Sequence, residues 1–139
     1  MTLLSNASRE IYDLNTHADF TAKLAQPIDL GSTSNWEVGV CEISCSSFPE
    51  GAIPVLLYCN LITPQFLGDS TVRCIWTFRF YPNAMCQHEF RNVQYVPVEQ
   101  RRFQDIRIEF LTTEGLLIPF AESTTPTKVV LHFRKDYQW

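Results

Sequence analysis

The sequence predicts an all-β sandwich of about eight antiparallel strands. Three observations carry that prediction. Apolar and polar residues alternate with period two over several segments, the mark of half-buried strands. Clusters of Pro, Gly, Asn, Asp, Ser and Thr punctuate the chain about every 8–16 residues. No stretch carries the 3.6-residue apolar period of an amphipathic helix.

Residues 1–18 read as an N-terminal arm. Over 19–25, Phe20, Ala22 and Leu24 share one side and Thr21 and Lys23 the other, so a strand is expected there, with a turn over 26–35. Over 36–45, Trp36, Val38 and Val40 share a face, while Cys41, Ile43 and Cys45 spread the apolar character to both sides. That predicts a strand covered on both faces. Two prolines and a glycine interrupt 46–54. Residues 55–62 are apolar but too short for a helix, and 63–70 read as another turn. The clearest alternation is at 71–80, where Val72, Cys74, Trp76, Phe78 and Phe80 oppose Thr71, Arg73, Thr77 and Arg79, with Ile75 on the polar side. A weaker strand follows near 86–93. Tyr95-Val96-Pro97-Val98 is extended, and Pro97, which has no N–H to donate, belongs at an edge. Over 103–112, Ile106, Ile108 and Phe110 oppose Asp105, Arg107 and Glu109. Thr113-Glu114-Gly115 reads as a hairpin turn into 116–120. The last strand, 127–134, turns Val129, Leu131 and Phe133 inward and Lys128, His132 and Arg134 outward. Residues 136–139 form a tail. The expected core therefore includes Trp76, Phe78, Ile106, Ile108, Leu131 and Phe133. Strand number and spacing favour one jelly-roll domain over 1–139. An immunoglobulin-like sandwich is the rival. Cys59 and Cys86 flank Trp76, but no tyrosine corner precedes Cys86.

Composition bounds the rest. A chain of 139 residues with 45% hydrophobic and 19% charged residues makes one folded domain. The net charge of −4 disfavours a protein that lives by gripping phosphates. The charge is uneven: residues 1–70 hold two bases against eight acids, and residues 71–139 hold nine bases against seven acids. No apolar run approaches the roughly 18 residues of a membrane helix, so membrane insertion is not expected. The first residues lack the basic start and apolar stretch of a secretion signal, so a protein that is not secreted is expected. Five cysteines, an odd number set mostly in apolar runs, read as buried free thiols.

Sequence chemistry is sparse. His17, His88 and His132 lack metal-ligand spacing, and His88-Glu89 is not the His-x-His set of a cupin. Cys86 and His88 are two apart, a weak nucleophile–base spacing that reads better as one inward thiol beside a polar position. Five glycines form no phosphate loop, and Asp105 and Glu109 flank Arg107 as a self-neutralising strand face. No catalytic, cofactor-binding or metal residue is assigned, no cofactor is expected, and the chain does not read as an enzyme. The remaining signal is basic and aromatic: Arg91, Tyr95, Arg101, Arg102, Phe103, Arg107, Arg134 and Lys135. Arginine suits bidentate contacts to carboxylates or phosphates.

Several blocks resemble a known family. They are 58–69 (Tyr-Cys-Asn-Leu-Ile-Thr-Pro-Gln-Phe-Leu-Gly-Asp) and the stretch from Phe90 to Phe110 with Asn92, Tyr95-Val96-Pro97-Val98, Arg102-Phe103 and Ile106-Arg107-Ile108. Gly115, Pro119-Phe120 and Pro126-Thr127-Lys128-Val129-Val130-Leu131-His132-Phe133-Arg134-Lys135 close the likeness; Asn15-Thr16-His17-Ala18-Asp19-Phe20 and Trp36-Glu37-Val38-Gly39-Val40 begin it. Together they resemble the penton, or minor capsid, proteins of Polinton (Maverick) elements, adintoviruses and virophages. The resemblance implies a single jelly roll with a structural role. Five copies would form a homopentamer at each five-fold vertex of an icosahedral capsid, beside a double-jelly-roll major capsid protein. It implies a place in the virion, synthesis in the host cytoplasm or nucleus, and non-specific contact with packaged DNA as a further partner. One departure is the short 46–54 segment, where relatives are expected to carry a longer insertion. On this reading the candidate subunit interface is Tyr95, Pro97, Arg101, Arg102 and Phe103. Acidic Glu10, Asp13 and Asp19 are candidates for the opposing surface. The alternatives are a carbohydrate- or peptide-binding jelly roll and a cupin-type metalloenzyme.

Overall fold

The computed structural model describes residues 1–46, 53–67, 70–80, 86–121 and 125–136. Among them none is helical, so none forms a helix long and apolar enough to cross a membrane. In chain order the strands are β1 (Thr2–Leu4), β2 (Asp19–Asp29), β3 (Asn35–Cys45), β4 (Ile53–Cys59), β5 (Gln65–Leu67), β6 (Ser70–Val72), β7 (Cys74–Phe80), β8 (Cys86–Glu89), β9 (Tyr95–Pro97), β10 (Arg102–Leu111) and β11 (Lys128–Asp136). They build two antiparallel sheets. One runs β1-β11-β3-β8, with β9 continuing beside β3; the other runs β2-β10-β4-β7. A small hairpin, β5–β6, stands apart. The pairs nest from the outside in: β1 with β11, β2 with β10, β3 with β8 and β9, and β4 with β7.

The core lies between the sheets. Val38, Val40, Ile43, Val129 and Leu131 enter it from the first sheet; Phe20, Val55, Leu57, Ile106, Ile108 and Phe110 enter from the second. The alternation read on β10 is the burial observed, and Ile106, Ile108 and Phe110 are fully buried. At about 1.5–3 kcal/mol for each such side chain, that row alone supplies about 5–9 kcal/mol of transfer free energy. β10 lies between β2 and β4, inside its sheet. Ile106, Ile108 and Leu131 are buried as expected, and Phe133 is half-buried, its ring centroid 5.8 Å from that of Phe103. Trp76 and Phe78 lie outside the described side chains.

Three bulges account for the places where simple alternation failed. On β3, Val40 faces Leu131 and Glu42 faces Val130, so Cys41 is an extra residue. It moves the inward positions from 38 and 40 to 43 and 45. The strand expected to be covered on both faces is a one-sided strand with a bulge. On β7, Leu57 of β4 faces position 76 and Tyr58 faces Cys74, which leaves Ile75 as the extra residue, buried at 3% exposure. On β2, residues 24–27 bow out opposite Gln104, whose Nε2 donates to the Leu24 carbonyl at 3.1 Å.

The first 18 residues pack against the sandwich. Residues 2–4 pair with β11, and Leu3 is in the core. Residues 8–15 then cover the outer edge of β2. Ser8 Oγ accepts from the Lys23 N–H at 3.0 Å. The Asn15 side chain accepts from the Thr21 N–H and donates to its carbonyl, both at 2.9 Å. Edge groups that would template another strand are thus occupied by side chains. Residues 116–120, expected as a strand, contribute only a bridge between Leu111 and Leu117 after the turn at Gly115, whose φ is +82°. The short 46–54 segment is described only from residue 53 onward and at Ser46, whose hydroxyl donates to the Ala121 carbonyl.

Candidate assembly surface

The outward face of β9, β3 and β11 carries a connected polar and aromatic cluster. Register creates it. His132 on β11 and Tyr95 on β9 both lie opposite Gly39 of β3, and Arg134 and Pro97 both lie opposite Glu37. With no side chain at Gly39, the two outer residues of that row meet across the strand. The Tyr95 hydroxyl and His132 Nδ1 are 2.7 Å apart. The Arg134 guanidinium carbon stands 3.5 Å from the Tyr95 ring centroid, a cation–π contact, and its Nε donates to Glu37 Oε1. Farther along the same two strands, Lys128 Nζ pairs with Glu42 at 3.0 Å. Hydrogen bonds from Lys128 and Gln87 hold the Glu42 carboxyl below the usual glutamate range.

Beside this row, at one end of the sandwich, is an open cleft of about 650 Å³ lined by Trp36, Glu37, Phe133, Arg134, Lys135 and Asp136. Its bases and acids are differently exposed. Arg134 has 51% of its side chain exposed and Lys135 is exposed, whereas Glu37 has 17% exposed and Asp136 is half-buried. A partner approaching this end meets cationic heads around two half-buried aromatic rings.

The five interface residues read from sequence divide. Tyr95 sits half-buried at the centre of the cluster, and Pro97 is exposed on β9. Arg102 is exposed and has no ion-pair or hydrogen-bond partner among the described residues. Two assignments are corrected. Phe103 is 5% exposed and belongs to the core, because it points inward like Ile106 and Ile108 and stacks on Phe133. Arg101 is spent within the chain: its guanidinium donates to the Gly31 carbonyl at 3.3 Å, to Asn35 Oδ1 at 3.1 Å and to the Ser34 carbonyl. It clamps the turn between β2 and β3, where its own carbonyl also accepts from the Leu30 N–H.

The acidic candidates divide too. Glu10 and Asp13 are exposed. Asp19 is held in a bidentate pair with Arg107, at 3.1 Å to Nε and 3.0 Å to the terminal nitrogen. That pairing raises the Arg107 pKa further, with Glu109 adding a smaller contribution at 3.5 Å. Asp105 accepts from the Tyr12 hydroxyl, which pushes the Tyr12 pKa up. The Asp105–Arg107–Glu109 face is thus a set of ion pairs and hydrogen bonds, as its composition indicated.

Thiols and histidines fall into place individually. Cys45 and Cys59 are buried, Cys41 and Cys74 half-buried, and Cys41 and Cys59 are free thiols. Burial pushes the Cys59 thiol up to about 11, so it is a core side chain and not a nucleophile. A free Cys59 also removes the inter-sheet disulfide of the immunoglobulin-like rival. Burial raises Tyr58 as well, with smaller effects from Cys74 and Glu109. His88 is exposed and stacks on Phe90, with ring centroids 6.0 Å apart; the Cys86 side chain lies outside the described ones. Among the described residues, no group of three or more His, Cys, Asp or Glu is placed to hold a metal ion. The sequence reading missed His132 as a partner of Tyr95, and Gly39 as the residue that lets them meet. Both follow only from strand register.

No family model, no curated protein and no solved structure matches this chain.

Proposed function

We propose that this chain is a structural protein that assembles with itself: a penton-type minor capsid protein, five copies closing a ring at the five-fold vertex of an icosahedral shell. The observation that carries the reading is the nested strand order, β1-β11-β3-β8 facing β2-β10-β4-β7. One long antiparallel hairpin folded over on itself yields that order, and we read it as a jelly roll. Jelly rolls serve capsids, lectins and cupins alike. The sequence resemblance over 58–69, 90–110 and 126–135 directs the reading to the capsid branch. A double-jelly-roll major capsid protein would be the neighbour in the shell, and the virion the location.

The surface we assign to self-association is the β9–β3–β11 face, with Tyr95, Pro97, His132 and Arg134; exposed Arg102 stands on β10 of the other sheet, apart from it. A ring needs two different surfaces on each copy, and a connected polar and aromatic cluster fits one of them. Native mass spectrometry of the purified chain tests the proposal. The expected result is a mass of five chains that falls apart when Pro97→Glu is combined with Tyr95→Ala. A chain that stays monomeric at about 1 mM, or a pentamer indifferent to that pair, overturns the ring or its assigned surface respectively.

A further inference from the structure

The largest exposed apolar side chains include two neighbours of one turn, Ile11 at 59% and Leu14 at 87%. They stand on the segment that covers β2. Its inward positions are 8, 12 and 15: Ser8 and Asn15 hold the β2 backbone, and Tyr12 donates to Asp105 on β10. Backbone hydrogen bonds from the Ile11 and Tyr12 N–H groups to the Ser8 carbonyl, at 3.1 and 2.8 Å, tighten the turn. The other side of the turn presents Glu10, Ile11, Asp13 and Leu14 to solvent. This is a ridge of two aliphatic side chains interleaved with two carboxylates, held by three anchors. Leaving Leu14 in water forgoes up to about 1.5–3 kcal/mol of burial, so the ridge has the composition of an unfilled contact.

We infer that this ridge docks in the Trp36–Phe133 cleft of a second copy of the chain, and that the repeated contact builds the ring proposed above. The inference rests on that self-assembly reading: the cleft adjoins the β9–β3–β11 face through Glu37 and Arg134, and the ridge is the second surface the ring requires. Charge supports the pairing: exposed Glu10 and Asp13 flank the aliphatic knobs and outweigh neighbouring Arg9, and exposed Arg134 and Lys135 rim the aromatic cleft above half-buried Glu37 and Asp136. The cleft's volume of about 650 Å³ is in the range that admits compact apolar groups. Its Glu37 carboxylate is already paired with Arg134 Nε, which leaves the outer guanidinium edge for a partner's carboxylate. The anchors hold the ridge to β2 and β10 of the second sheet, while the cleft belongs to β3 and β11 of the first. Ridge and cleft are different surfaces, so the contact is head-to-tail and closes a ring when the rotation per copy allows.

A charge-reversal cycle read by native mass spectrometry and sedimentation velocity tests the pairing. Asp13→Lys and Lys135→Glu are each expected to weaken association about tenfold, and the two together to return it to within about threefold of the parent. Leu14→Asp, at a position 87% exposed, is expected to abolish association while the monomer keeps its melting behaviour. Single variants that associate like the parent, or a combined variant no better than the singles, overturn the ridge–cleft contact. A parent pentamer with indifferent variants overturns this contact alone. Rescue in an assembly of another number overturns the five-fold reading alone. A parent chain monomeric at about 1 mM overturns both.

Discussion

Gly39 gives the most direct test of the register argument. In a Gly39→Ala variant the new Cβ would lie 2.7 Å from the Gln94 carbonyl oxygen and 3.3 Å from Tyr95 Cδ1, and would overlap Val93 Cγ1. The Gln94 atom is backbone, so rotating a side chain brings no relief. The segment leading into β9 has to lift away from β3. Overpacking of this kind costs about 1–3 kcal/mol. Lifting also loosens the pairs Gly39–Tyr95, Val38–Val96 and Glu37–Pro97, and the Tyr95–His132 contact. Each hydrogen bond lost adds about 0.5–1.5 kcal/mol, for an expected total of about 2–4 kcal/mol. With a urea m-value of about 2 kcal/mol/M, the midpoint for this variant falls by about 1–2 M. The His132 ring resonances in NMR spectra should shift with it, because Nδ1 loses its tyrosine partner. A loss below about 0.5 kcal/mol with His132 unmoved would show that the segment yields freely and that glycine does not set the approach.

Two further outcomes follow from the titrating groups. With its thiol near 11, Cys59 should be about a thousandth thiolate at pH 8 and should resist alkylation in the native protein while half-buried Cys41 reacts. Mass-mapped iodoacetamide labelling checks this, and equal rates at the two sites refute it. Glu42 is held below its ordinary range by Lys128 and Gln87, so its contribution to stability is complete above that range and fades as pH falls through and below it. Glu42→Gln should therefore flatten the fall in urea stability between about pH 5 and pH 3, and an unchanged slope counts against the pairing.

What the sequence conveyed depended on how local the cause was. The rows on β10 and β11 were legible because each inward residue is followed by an outward one without interruption. The bulges at Cys41 and Ile75 were not, since an extra residue is defined only against the partner strand. β1 has three residues, too few for a period, and its place depends on β11 more than 120 positions away. The β5–β6 hairpin was read as a turn and the start of a strand for the same lack of length. Among the candidate interface residues, Pro97 and Arg102 are exposed, as a proline in an extended segment and a base on a strand's polar side suggest. Arg101 and Phe103 did not show their roles, because a clamp on the 31–35 turn and a core ring look like basic and aromatic surface until their partners are placed. Gly39 gave no sign of its role, which belongs to the three strands that meet there.

The pairing of β1 with β11 has a consequence for synthesis. Thr2 faces Val130 and Leu4 faces Lys128, while β11 is also the partner along the whole length of β3. A nascent chain still lacking those last strand residues holds neither its opening strand nor the middle of that layer. Such non-local closure folds slowly, in milliseconds to seconds. Half of the molecule must therefore wait at the ribosome for its central plank, and the two-layer body exists only once translation has delivered it.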